Sequence, residues 1–278
     1  MMKAFKLHCI IIVFLIPIAV PVYSQNGTFT VLKVMGSVFC QRLQKDLQNG
    51  DKLMTQDKIR FSSPNSYLIV ISPQDGRKVV KPASANTESE LKSLLMDIVS
   101  LEKKHTANRG LDEGSKQVKA MKVLKMQLEA DTLLILGSGK AIFINSDFAL
   151  NDTAAVKARF KSGNSYTEKP VSSGSVLDLS RSSVFGTQPL AKVQLIYLPN
   201  VKKNIFDSPP ESLGSFVPRY FDNEAALVKE IQVIHSAYAG KSREIILAEI
   251  KKYIEDEYGS VLEENLVQWL AESNLLKP

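Results

Sequence analysis

Between Phe29 and Val80 the apolar residues come in short alternating runs, each closed by turn chemistry, and that pattern leaves room for little but an antiparallel β unit. Phe29, Val31 and Val34 open it, Gly36-Ser37-Val38 follows, and Asn49-Gly50-Asp51 turns ahead of Leu53. Ile59 and Phe61 alternate with polar residues, Tyr67 to Ile71 is continuously apolar, and Gln74-Asp75-Gly76 turns into Val79-Val80. No segment of helical period competes, so residues 28–84 are expected to form a small all-β barrel or sandwich.

Ahead of this unit stand Lys3 and Lys6, the apolar run Ile10 to Ile16, and the close Pro21-Val22-Tyr23-Ser24. A basic start, a short apolar stretch and a small-residue end predict a signal peptide over residues 1–24, cleaved between Ser24 and Gln25. The rival is a retained anchor, which Pro17 and Pro21 disfavour by interrupting the apolar stretch. Cleavage removes Cys9 and leaves Cys40 alone, so no internal disulfide is expected and stability must come from ordinary cores. No later segment is apolar enough to span a bilayer. Removing Lys3 and Lys6 lowers the formal charge from +6 to +4, and the remaining lysines are scattered, which fits a solvated surface better than a polyanion partner; no nucleic-acid partner is expected.

Beyond the first unit the chain is expected to be multi-domain and mainly β with helices. Thr87-Glu88-Ser89-Glu90 fits a capping box, and Leu91, Leu94, Leu95, Ile98 and Leu101 share one helical face. Residues 87–130 therefore read as a helical connector with a polar hinge near 105–115, although Lys116 to Ala130 suits a strand almost as well as a helix. Residues 131–200 read as an immunoglobulin-like β-sandwich, with Leu133–Leu136 and Ala141–Ile144 as a hairpin about Gly137-Ser138-Gly139-Lys140, and Val193 to Leu198 as the strongest strand. Pro209-Pro210, Gly214 and several serines make 201–221 a linker. Three amphipathic segments in 222–278 predict a C-terminal three-helix bundle; the third is expected to open at a capping box, Ser260-Val261-Leu262-Glu263.

Chemistry-bearing patterns are sparse. Gly137-Ser138-Gly139-Lys140 lacks the earlier glycine and the Ser or Thr after lysine that a phosphate loop needs, and it lacks the glycines of a nucleophile elbow. His105 and His235 have no second ligand at metal spacing, so no metal or other cofactor is expected. Cys40 shares strand parity with Val38 and reads as a buried core residue, an intermolecular disulfide being its functional alternative. Glu255-Asp256-Glu257 and Glu263-Glu264 read as a solvated face, with Glu263 as a cap. No catalytic residue is assigned.

Val34-x-Gly36-x-Val38, Leu47-x-x-Gly50-Asp51-x-Leu53, Asp57-x-Ile59-x-Phe61 and the strand Tyr67 to Ile71 before Asp75-Gly76 resemble the FecR-like domains of bacterial envelope proteins. The resemblance implies a small β domain used in periplasmic signal relay and protein contact, with no catalytic residues to carry over. Membrane-bound iron-transport regulators of that kind have a cytoplasmic anti-sigma segment and a transmembrane helix ahead of the domain. Here a signal-peptide pattern stands there, so control of a sigma factor is not implied. The region from Leu133 to Leu198 looks like the sandwich-type domain of secreted proteins sharing this layout, and Asp131-Thr132-Leu133 and Asp152-Thr153-Ala154 look like short O-glycosylation sites of exported bacterial proteins.

The expectation is an exported, non-catalytic interaction or scaffolding module in the periplasm or on the surface of a Gram-negative-type bacterium, meeting an envelope protein. The alternative is a carbohydrate- or peptidoglycan-binding protein using Tyr67, Tyr166 or Tyr197 as exposed stacking platforms. A hydrolase with a dispersed site ranks third.

Overall fold

The computed structural model describes residues 27–82, 88–96, 116–143, 155–184, 192–199, 209–221 and 223–276. The chain opens with β1 (Thr28–Met35), β2 (Val38–Cys40), β3 (Lys45–Asp46), β4 (Lys52–Met54), β5 (Lys58–Phe61), β6 (Tyr67–Ser72), β7 (Gly76–Val80) and β8 (Glu88–Glu90). They form two four-stranded sheets, β4-β1-β6-β7 and β3-β2-β5-β8, each antiparallel throughout. Phe29, Val31, Leu53, Leu68 and Val70 from one sheet meet Val38, Cys40, Ile59 and Phe61 from the other in a common core. β6 is apolar from Tyr67 to Ile71 because Ile69 and Ile71, on its other face, are also covered.

The first unit runs further than its turn pattern suggests. Glu88 and Glu90 do not open a helix: they lie in β8, opposite Arg60 and Lys58 of β5. Two directly opposed charge pairs favour the strand over the capping box. The helix α1 (Leu91–Met96) starts one residue later and sends Leu91 and Leu94 into the same core. Its first amides donate to the carbonyls of Asp57 and Thr55, both at 2.8 Å. The rest of the expected helical face and the hinge near 105–115 lie outside the described residues.

The second unit begins with α2 (Lys116–Leu128), which closes the strand alternative for this segment. It continues with β9 (Thr132–Ile135), β10 (Lys140–Ile142), β11 (Ala155–Ser162), β12 (Ser165–Pro170), β13 (Ser172–Ser173), β14 (Val176–Asp178), α3 (Arg181–Val184), β15 (Val193–Leu198) and β16 (Glu211–Tyr220). Then come α4 (Glu224–Ala237), α5 (Arg243–Glu257), β17 (Ser260–Val261) and α6 (Glu263–Glu272). A six-stranded sheet, β12-β11-β15-β16-β9-β17, and a three-stranded sheet, β10-β14-β13, enclose one core with α2 packed on β16.

Several expectations are corrected here. β9 and β10 are not a hairpin: the chain leaves the large sheet at Leu136, turns through Gly137 and Gly139 at φ 56° and 73°, and enters the small one. The linker over 201–221 holds, from Glu211 on, a ten-residue strand inside the large sheet. β16 pairs antiparallel with β15 as far as Phe216, then parallel with β9 from Val217. Pro218 thus falls where only one neighbour needs backbone partners, and Gly214, at a register shift, lets α2 approach so closely that a Cβ there would sit 2.7 Å from the Leu128 carbonyl. The parallel pairs of β9 with β16 and β17 depart from the antiparallel sheets of an immunoglobulin-like sandwich. Ser260 and Val261 form β17 instead of a capping box, and Leu262 stands at the N-cap of α6 without a side-chain bond. Among the described residues, no helix is long and apolar enough to cross a membrane.

Candidate functional site

The C-terminal helices do not make a bundle of their own. Leu227, Ile231, Ile234, Ile250, Tyr253, Ile254, Leu266 and Trp269 share one core with Leu32, Ile69 and Ile71 of the first unit and Leu134 and Leu136 of the second. Alternation explains how β9 serves two cores: Leu133 and Ile135 point into the second unit, and Leu134 and Leu136 point to the helices. Truncating any one of these side chains to Ala removes packing worth about 2–5 kcal/mol.

At the edge of this shared core lies a polar network. Glu230 of α4 is 4% exposed, and its Oε2 accepts the phenol protons of Tyr253 at 2.8 Å and Tyr258 at 2.6 Å. Tyr258 Oη in turn accepts from Lys33 Nζ at 3.1 Å, and the same ammonium lies 3.6 Å from Glu257 and 4.4 Å from the centroid of the Tyr258 ring. Arg77 of β7 pairs with Asp256 and Glu257 and sits over the ring of Tyr253. Burial, reinforced by the Glu230 carboxylate, pushes the Tyr253 and Tyr258 phenols far above their ordinary range. Tyr67 is raised by burial and then by the charges of Glu257 and Glu230.

Lys33 reaches this network because of a β-bulge. Val31 pairs with Val70 and faces the inner core, but Lys33 pairs with Ile69, so one residue is inserted between them. Without it, strand parity would turn Lys33 toward Val31 and the core. Tyr258 joins both β units: its hydroxyl takes Lys33 from the first, and its carbonyl accepts from Arg219 Nη1 of β16 at 3.2 Å.

A second anchor grips the corner between β9 and β10. Asn265, 2% exposed, accepts from Leu136 N–H at 2.9 Å through Oδ1 and donates through Nδ2 to the carbonyls of Leu136 and Lys140, both at 3.0 Å. These bonds replace the ladder a hairpin would have supplied. Gly137 N–H donates to Glu224 and Ser138 Oγ to Glu272, while a Cβ on Gly137 would lie 2.8 Å from the indole of Trp269.

The residues singled out by sequence are scattered. Cys40 is a buried free thiol in the first core. His235 is exposed in the last turn of α4, and His105 and Thr153 lie outside the described residues. Thr132 is half-buried in β9. Of the three tyrosines, Tyr166 is 74% exposed on edge strand β12, Tyr197 is buried, and Tyr67 borders the polar network. The reading of Glu255-Asp256-Glu257 as a solvated face is corrected, since Asp256 and Glu257 meet Arg77 and Lys33. Glu263 pairs with Lys251 at 2.6 Å instead of capping. Glu264 Oε2 is buried without a hydrogen-bond partner, and burial pushes its carboxyl up.

Among the described residues, no group of three or more His, Cys, Asp or Glu side chains could hold a metal ion. An open polar cleft of about 320 Å³ lies between the end of α2 and the strands β15 and β16, lined by Glu129, Asp131, Gln194, Ser212 and Ser215. Both phenol donors converge on the same Glu230 oxygen, Oε2. The helical layer packs against both β units in one shared core. The chain matches no protein-family model, and no curated protein or solved structure is significantly similar to it.

Proposed function

We propose that the chain is an exported, non-catalytic protein-interaction or scaffolding module of the bacterial envelope, in which the helical layer holds two β units at a fixed angle for contact with an envelope protein. The observation that carries this reading is the sharing of one core by Leu32, Ile69 and Ile71, Leu134 and Leu136, and the helices α4 to α6. The charged groups beside that core are spent on each other and leave the outer faces to make contacts. The FecR-like resemblance of the first unit and the signal-peptide pattern supply the compartment and a role in signal relay; the two sheets of the second unit support a sandwich-like module.

Site-specific photo-crosslinking tests the proposal. A crosslinker at Tyr166, on the exposed edge of β12, is expected to give a discrete adduct with one envelope protein in isolated envelopes. Binding to peptidoglycan sacculi or a glycan array with no protein adduct would replace this reading with the carbohydrate one, for which the exposed ring of Tyr166 and the polar cleft are candidate sites. Release of a product from sacculi would overturn the non-catalytic reading.

A further inference from the structure

The outward face of α2 sets exposed apolar side chains beside lysine. The helix buries Leu124 and Leu128 in the second core and leaves Lys122 exposed, with Val123 38% and Met126 56% exposed beside it. Its sequence, KQVKAMKVLKMQL, places lysine at every third position from Lys116 to Lys125 and contains no carboxylate. A single exposed apolar residue needs no explanation. Two on the outward side of an acid-free lysine helix do, because a basic face with interspersed apolar side chains is what binds in the headgroup layer of a membrane.

We propose that this face of α2 docks the protein on an anionic lipid surface, with Lys122 against the headgroup phosphates and Val123 and Met126 entering the headgroup region. Charge complementarity selects the partner class, and the apolar pair selects lipid over a soluble polyanion, which would leave Val123 and Met126 in water. Lys125 is partly committed to Glu211 at 2.8 Å, so Lys122 carries more of the contact. Glu129 and Asp131, exposed just beyond the helix, mark where the basic face stops. This inference stands apart from the scaffold reading: a protein can be held at a membrane whether or not its β units also grip a partner.

The chain from Gln25 onward, which holds every described residue, can be sedimented with equimolar phosphatidylglycerol and phosphatidylcholine vesicles and with phosphatidylcholine alone. Binding to the anionic vesicles only, reversed by salt, is expected. Each basic residue near such a surface adds about fivefold to partitioning, so K122E is expected to lower it about tenfold or more, and M126S several-fold. K241E makes the same charge change in the exposed turn between α4 and α5 and is expected to leave binding unchanged. Absence of binding to anionic vesicles overturns the proposal, as does an equal loss in K241E. Displacement by heparin with M126S indistinguishable from the parent overturns it in favour of a soluble polyanion. Lys122 and Met126 are exposed, so unfolding curves of the variants should overlay the parent's.

Discussion

Lys33 and Tyr258, 225 positions apart in the chain, meet at 3.1 Å, and Tyr258 passes the contact on to the buried carboxylate of Glu230 at 2.6 Å. Tyr258→Phe removes both bonds and is expected to destabilise the fold by about 1.5–3 kcal/mol, the usual range for a hydrogen bond to a charged group. A double-mutant cycle with Lys33→Met should give a coupling of about 0.5–3 kcal/mol in urea unfolding. Simple additivity of the two substitutions would remove the network from any account of how the units are held.

Asn265→Leu keeps the approximate volume but strands the Leu136 amide and the carbonyls of Leu136 and Lys140 in a dry site. A loss of about 2–4 kcal/mol is expected from groups left without partners. Gln268→Leu, on the same helix but bonded only to Glu272 on the exposed side, should stay within about 0.5 kcal/mol of the parent. Matching losses in the two variants would mean that the corner is held by packing alone.

Asp57 sets the acid limb of stability. Its burial tends to raise the carboxyl, but the Arg42 hydrogen bonds at 2.6 and 2.9 Å, the Met54 amide at 2.9 Å and the guanidinium charge together hold it below its ordinary value. A depressed carboxyl stabilises the fold above its unfolded pKa, and that contribution is lost as pH falls through the folded value. Stability should therefore decline below about pH 4, and Asp57→Asn should flatten that decline. An unchanged acid slope in the variant, followed by urea midpoints across pH, would assign the decline to other carboxylates.

Glu264 should show the opposite sign. Burial raises its carboxyl, so the folded state holds the proton more tightly than the unfolded one. Its favourable contribution is complete below the unfolded pKa and disappears as pH rises through the folded value. Glu264→Gln is expected to stabilise the protein by about 1–2 kcal/mol at neutral pH, because no buried charge is left unpaired, and to lose that advantage in acid. Thermal melts at neutral and acidic pH give the comparison; the same shift at both would rule out titration as the cause.

The strand runs around Phe29, Ile59, Tyr67–Ile71, Val156–Phe160 and Val193–Leu198 were legible because each alternates over a core or is covered on both faces. What the sequence concealed are places where a local signal is real but its tertiary use differs. Pro218 and Gly214 do punctuate the chain, yet one sits at a change of partner strand and the other at a helix crossing, so the segment is a strand and not a linker. Lys33 has the parity of a core position, and only the bulge after Val31 gives it to Tyr258. Ser260-Val261 carries a capping pattern, but the edge of β9 needed a strand more than α6 needed a side-chain cap. The acids of Glu255 to Glu257 looked solvated because the cations that meet two of them, Lys33 and Arg77, come from the other end of the chain.

The position of β9 between β16 and β17 has a consequence for how the molecule is made. Both neighbours of β9 emerge long after it: Thr132 waits for Val217, and Leu133 for Ser260. Such distant pairings are slow to form. Until the last helices arrive, a nascent chain carries the unpaired edges of β9 together with the bare apolar side of Leu32, Ile69 and Ile71. Synthesis halted short of Val217, before β16 can pair with β9 and before α4 to α6 exist, would leave both surfaces open at once, and that species is the one most prone to pair strands with another copy.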